Sequence, residues 1–206
     1  TNDSAIRYPA RIVAADPVAD IAIIELKDWE LFVNNEEPKT LVFADSDEVR
    51  LGDKVIVIGH PWDLDWTVSE GIVSGKNRRP TPLPKYLYQV DANMFQGNSG
   101  GPVLNADGEV VCVSEIMQPG PGGSYGLCVP SNLVNKAIND LIKFKEVRWR
   151  TLNVEIGLTD DGSRVKIVSV MPDGAAEKAG IQAGDIVLEL HTPVNHPTGT
   201  DIRTPE

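Results

Sequence analysis

The sequence is poor in the residues that most often advertise a site. Three histidines and two cysteines occur in 206 residues, and the two cysteines make neither a framework of several disulfides nor a metal site, which would need more ligands at closer spacing. Lysine and arginine number 19 against 30 aspartates and glutamates, a net charge of −11. Phosphate backbones and anionic membrane surfaces are bound by clustered cations, so neither a nucleic acid nor such a membrane is the expected partner. The one basic cluster, Lys76 to Arg79, runs through Asn77 into Pro80 and reads as a solvated loop. No apolar run reaches the ~18 residues of a spanning helix, and no signal peptide is visible. Cys112 and Cys128 sit in the apolar runs Val-Val-Cys-Val and Gly-Leu-Cys-Val, so buried thiols are the default reading. They could face each other across a sheet, and whether they are bonded stays open.

What is present is ordinary globular material, 41% hydrophobic and 24% charged, enough for a packed core. Val- and Ile-rich runs dominate the first part: Ile21 to Leu26, Lys54 to Ile58, Thr67 to Ser74, Tyr86 to Asp91, Pro102 to Asn105 and Glu109 to Ser114. Turn residues bound them at Leu51-Gly52-Asp53, Gly59-His60-Pro61 and Asn105-Ala106-Asp107-Gly108. Many short strands with Gly and Pro between them predict a β-barrel or sandwich. One helix follows, in which Leu133, Val134, Ala137, Ile138, Leu141 and Ile142 recur at helical spacing and Ser131 is placed to cap. After Lys145 the pattern changes. Trp149 to Asn153 reads as a connection, followed by strands near Val154 to Leu158 and Val165 to Val170 and a short helix within Asp173 to Gly180. His191 to Glu206 carries no useful periodicity.

The chemistry concentrates in Gly97-Asn98-Ser99-Gly100-Gly101-Pro102. A serine hydroxyl is a weak nucleophile until a base takes its proton and N–H donors face the oxyanion that forms. Flanking glycines permit the tight turn and close backbone approach which that geometry requires. Taken alone, the hexapeptide could still be a glycine-rich hairpin with an incidental serine.

In context it resembles a known family. Gln89-Val90-Asp91-Ala92 through Asn105 is similar to the nucleophile segment of the HtrA (Deg) trypsin-like serine proteases. Tyr8 to Val13, Asp16-Pro17 and Asp20-Ile21-Ala22-Ile23-Ile24 resemble the strand bearing that family's triad aspartate. Val57-Ile58-Gly59-His60-Pro61 and Thr67 to Ser74 resemble the opening of its second barrel, and Tyr125 to Asn132 the approach to its closing helix. Gly174 to Ile186 resembles the helix-turn-strand segment of the PDZ domain that follows the protease in many HtrA proteins.

The resemblance implies a mainly β fold. Residues 1–147 would be a trypsin-like double β-barrel lacking N-terminal strands of its first barrel, and residues 148–206 an incomplete PDZ domain. It implies a serine endopeptidase with Ser99 as nucleophile, Asp20 orienting the base, and the Gly97 and Ser99 N–H groups as oxyanion hole. A surface aspartate ending a turn is the plainer reading of Asp20. Asn93, Met94 and Ser114 are expected at the substrate pocket, which would take a medium-sized apolar side chain. Ile156, Gly157 and Leu158 are expected at the PDZ carboxylate-binding loop, unless they form an ordinary strand with a glycine bulge. The implied substrates are unfolded or damaged polypeptides, with C-terminal peptides as PDZ ligands and a trimer-based homo-oligomer as the assembly. A periplasmic, otherwise extracytoplasmic or organellar location goes with the family, and no metal or organic cofactor is implied.

One part of the pattern is unmet. The family's catalytic histidine precedes the aspartate, and no histidine precedes Asp20 here. His60 occupies a Gly-x-Pro turn and reads as a turn residue, while His191 and His196 lie beyond Gly184-Asp185. The expectation is a chain that starts late in the first barrel, leaving the Asp20 strand with an open edge and Asp20 as a buried carboxylate without its partner. In that form it would be nearly inactive. The alternative is a catalytically dead pseudoprotease, a PDZ-containing peptide-binding or scaffold protein.

Overall fold

β-Branched side chains crowd a helix but fit a pleated sheet, and the Val- and Ile-rich runs form strands. The computed structural model describes residues 9–27, 39–61, 66–80, 85–120, 123–149 and 151–189. The chain divides into two units, Thr1–Arg148 and Trp149–Glu206. Tyr8, His191 and His196 lie outside the described residues.

In the first unit, β1 (Ala10–Asp16) and β2 (Ile21–Leu26) pair antiparallel with Asp16 opposite Ile21. Asp16 shapes the turn between them. Its Oδ1 accepts from the Val18 and Ala19 N–H groups at 2.9 and 2.8 Å, and its Oδ2 from the Val147 N–H at 3.1 Å. A closed barrel follows, built from β3 (Lys54–Gly59), β4 (Thr67–Arg78), β5 (Leu87–Val90), β6 (Pro102–Leu104), β7 (Val110–Gly120) and β8 (Gly123–Pro130). Its order is β3-β4-β5-β8-β7-β6, so β3 bonds to β6 and β5 to β8. Closure leaves no edge inside this sheet. Val55, Val57, Val73, Val90, Val103 and Val111 point inward and form its core with Tyr88, Met94 and the two cysteines. Burying each such side chain contributes about 1.5–3 kcal/mol.

The cysteines are not thiols. Cys112 and Cys128 form a disulfide with a Cα–Cα separation of 5.6 Å, within the range that a disulfide spans. Pairing of β7 with β8 sets Cys128 opposite Ser114 and Cys112 opposite Pro130, which brings them together. The basic cluster is also corrected. Lys76, Asn77 and Arg78 end β4 rather than forming a solvated loop. The Lys76 ammonium donates to the Val49 carbonyl at 2.6 Å, and Arg78 Nε to Gln89 Oε1 at 2.9 Å.

Helix α1 (Ser131–Phe144) buries Ser131, Val134, Ala137 and Leu141, while Ile142 of the expected stripe is 58% exposed. Val134 packs with Leu87, Leu127 and Val129, against which Ile21 of β2 also rests. Ser131 is not the cap. Pro130 holds that position, and the Ser131 hydroxyl instead donates to the Ala44 carbonyl at 2.7 Å. Lys145 ends the helix in the left-handed region at φ 65°. Among the described residues no helix is long and apolar enough to cross a membrane.

The second unit is a three-stranded antiparallel sheet of order β11-β10-β9, from β9 (Val154–Leu158), β10 (Val165–Val170) and β11 (Ile186–Val187), with α2 (Ala175–Lys178). Ile156, Gly157 and Leu158 lie within β9, opposite Ile167, Lys166 and Val165. They form a strand, not a loop.

Candidate active site

Ser99 sits in the segment between β5 and β6, and its neighbours explain the loop's shape. Gly97 has φ +109°, a region that side chains rarely enter, and a Cβ there would meet the His60 carbonyl oxygen at 2.5 Å. A Cβ on Gly59 would meet Asn98 Oδ1 at 2.6 Å. The loop therefore lies flat against the end of β3 because two glycines leave room. Asn98 is buried, and its carbonyl accepts from Gly101 N–H at 2.9 Å. Gly100 N–H donates to the Ser114 carbonyl at 2.7 Å and Ser114 N–H to the Gly101 carbonyl at 3.0 Å, fastening the loop to β7.

The Ser99 side chain is exposed, and its hydroxyl donates to the Glu115 carbonyl at 2.9 Å. Among the described residues the Gly97 and Ser99 N–H groups have no hydrogen-bond acceptor. Two unoccupied N–H groups flanking one turn are what a developing oxyanion needs. His60 stands at the turn against Gly97, its N–H 3.4 Å from the Gly97 carbonyl oxygen.

Asp20 follows the Asp16 turn in the left-handed region at φ 56° and begins the approach to β2. Its side chain is exposed, not buried as expected. Nothing among the described residues encloses it. The link to Ser99 runs through two residues that the sequence reading passed over. Lys85 Nζ donates to the Ala19 carbonyl at 3.2 Å and to Glu115 Oε1 at 2.8 Å. Both partners are buried, their side chains 2% and 9% exposed. The Asp20 turn, Lys85, Glu115 and the Ser99 hydroxyl thus form one connected set. No local motif marks Lys85 or Glu115, because 30 residues separate them and only barrel closure brings them together.

Of the expected pocket residues, Met94 and Ser114 meet. Both are buried, and the Ser114 hydroxyl lies 3.8 Å from Met94 Sδ. That sulfur fills the space beside Gly126, where a Cβ would stand only 1.8 Å away. Asn93 is exposed and its carbonyl accepts from Ser69 Oγ at 2.6 Å. In the second unit, Ile156 and Leu158 are exposed on β9, one of the two edge strands of its sheet among the described residues. Gly157 lies between them with its backbone against Val168, whose Cγ2 a Cβ would meet at 2.9 Å.

The trypsin-like peptidase domain family matches residues 1–113, and the PDZ domain family residues 141–195. The chain is 33% identical over 199 residues to the periplasmic serine endoprotease DegP of Salmonella typhimurium, a match covering 90% of this chain and 41% of the relative. It is 32% identical over 218 residues to a probable periplasmic serine endoprotease, DegP-like, of Brucella suis, covering 98% of this chain and 40% of the relative. A solved structure of the HtrA-type protease AlgW with a decapeptide matches with a TM-score of 0.69 at 27% identity, over 88% of this chain and 58% of that one. The chain spans about two fifths of the length of the curated relatives it matches.

Proposed function

Since the chain belongs to the HtrA/Deg family of trypsin-like serine proteases with a PDZ domain, we propose that Ser99 is the nucleophile of an endopeptidase acting on unfolded or damaged polypeptides. The observation that carries this reading is the Ser99 loop, where an exposed hydroxyl stands beside two N–H groups that have no acceptor among the described residues. In the reaction, Ser99 Oγ leaves its bond to the Glu115 carbonyl, loses its proton to a base and attacks the scissile carbonyl carbon. The oxyanion is held by the Gly97 and Ser99 N–H groups. The amine departs with the proton, and water then hydrolyses the acyl-enzyme. Asp20 orients the imidazole that acts as base, as the family's aspartate does. His60 is the one histidine among the described residues, and its place against Gly97 makes it a turn residue.

Residues 1–147 then serve as the protease domain and 148–206 as a PDZ domain that takes C-terminal peptides along the β9 edge. A homo-oligomer and an extracytoplasmic location belong to the same reading. The buried Cys112–Cys128 disulfide fits an oxidising compartment.

A pseudoprotease is the second reading, favoured by the exposure of Asp20, which nothing among the described residues encloses. Removing the base alone costs about 10⁶ in turnover in a subtilisin, so a pseudoprotease of this kind would be nearly inert. The deciding experiment is covalent labelling by a fluorophosphonate together with casein cleavage, using protein expressed from the full coding sequence. Labelling and cleavage that vanish in Ser99→Ala are expected. Absence of both in the unmodified protein would establish the pseudoprotease.

A further inference from the structure

Lys85 is the one cation that is buried among the described residues. A buried ammonium is expensive unless paired, and an apolar side chain of similar size usually fills such a space as well or better. Its cost therefore points to a task other than packing. Both of its bonds cross between elements, to the Ala19 carbonyl in the β1–β2 turn and to the Glu115 carboxylate on β7.

The sheet pattern says why a tether is needed there. β1 and β2 form a separate two-stranded sheet, outside the barrel's hydrogen-bonded circuit. Among the described residues no ladder fixes the register between the ribbon that carries Asp20 and the loop that carries Ser99. The ribbon is set by side chains instead. Asp16 ties its turn to the Val147 N–H after α1, and Lys85 ties the next residues to β7. Glu115 serves at both ends of the second tie. Its carboxylate receives Lys85, and its main-chain carbonyl receives the Ser99 hydroxyl. Lysine bonded this way is a donor only, so its contribution is placement and not proton transfer.

We propose that Lys85 is a positioning residue: bridging Ala19 and Glu115, it fixes the Asp20 turn relative to the Ser99 hydroxyl, and so sets where a base oriented by Asp20 meets the nucleophile. The proposal rests on the serine endopeptidase reading above. Displacement of reacting groups by about 1 Å can cost ~10²-fold in rate, so a loosened turn acts on turnover more than on substrate binding.

The test compares Lys85→Met/Glu115→Gln, which removes both charges together, with Lys85→Arg, which keeps the cation and its donors. Both are made in protein from the full coding sequence, beside Ser99→Ala. Fluorophosphonate labelling rate, kcat and KM on a peptide substrate, thermal midpoint, and amide exchange at Val18 and Ala19 are measured. In the neutral pair, kcat and labelling should fall by at least ~10-fold with KM held within ~2-fold. Exchange at Val18 and Ala19 should quicken by at least ~10-fold, while the barrel melts as before. Lys85→Arg should recover most of kcat and restore the protection. Unchanged kcat in the neutral pair, or a loss that only tracks a lowered midpoint, overturns the proposal. If the unmodified protein neither labels nor cleaves, the endopeptidase reading fails by itself. The tether is then judged on exchange alone, and unaltered protection of Val18 and Ala19 in the neutral pair overturns it.

Discussion

Gly97 carries two constraints at once, a left-handed backbone and contact with the His60 carbonyl, whereas Gly108 has φ +81° and open space where its Cβ would be. Alanine at either position meets strain of about 1 kcal/mol or more. Only at Gly97 must the loop also shift. Gly97→Ala is therefore expected to slow fluorophosphonate labelling of Ser99 by at least ~10-fold, while Gly108→Ala lowers the thermal midpoint by a few degrees and leaves labelling intact. Equal labelling in the two variants would detach the Gly97 turn from the chemistry. The loop's shape was legible in the sequence because its requirements are local: glycines on both sides of one serine. Lys85 and Glu115 were illegible for the opposite reason. Each looks like an ordinary surface charge until the barrel places them face to face. The exposure of Asp20 likewise depends on what surrounds it and not on its neighbours in sequence.

Among the elements, strands at Val154–Leu158 and Val165–Val170 stand where the period and turn residues put them. The lengths of β4 and β7 were underestimated. Both run on into polar or proline-containing residues, where the ladder continues and the apolar alternation does not. The disulfide stayed open in the sequence because cysteine spacing says nothing about which strands pair. Its effect is measurable. Closing a loop with a sequence separation of 16 removes unfolded-state entropy worth about 3 kcal/mol. Cys112→Ala/Cys128→Ala should lose roughly that much stability in urea unfolding, and an unchanged midpoint would contradict the bond. Helix α1 offers a second case, gripped by a carboxylate near each end. Asn132 donates its side-chain amide to Asp45 at 2.7 Å, and Lys136 and the Arg148 N–H donate to Asp140 at 2.7 and 3.0 Å.

These grips contribute to the acid response of the protease-like unit. Burial works against the charge on Asp140, but the Lys136 ammonium and the Arg148 N–H outweigh it and hold the carboxyl below its ordinary range. Asp45 is lowered as well, first by the Asn132 amide and then by the Asp47 N–H. A carboxyl with a depressed folded value contributes stability that is complete above the unfolded value of about 3.9 and is lost as pH falls through the folded one. Stability should therefore be flat near neutrality and decline below about pH 4. Asp140→Asn should lower stability at pH 7 by about 1–2 kcal/mol and make the acid decline shallower, as read from thermal midpoints across pH. An unaltered acid slope in that variant would remove Asp140 from the account.

The strand order also bears on the life of the chain before it is a protein. β3 finds its second neighbour only in β6, and β5 only in β8. During synthesis the barrel cannot close until residue 130, the end of β8, has left the ribosome. Some seventy residues after β3 are made with apolar strands and open backbone edges awaiting partners, the state in which chains aggregate. The nascent chain thus passes through a stage of exposed, unpaired strands, and its yield in cells should depend on early chaperone cover.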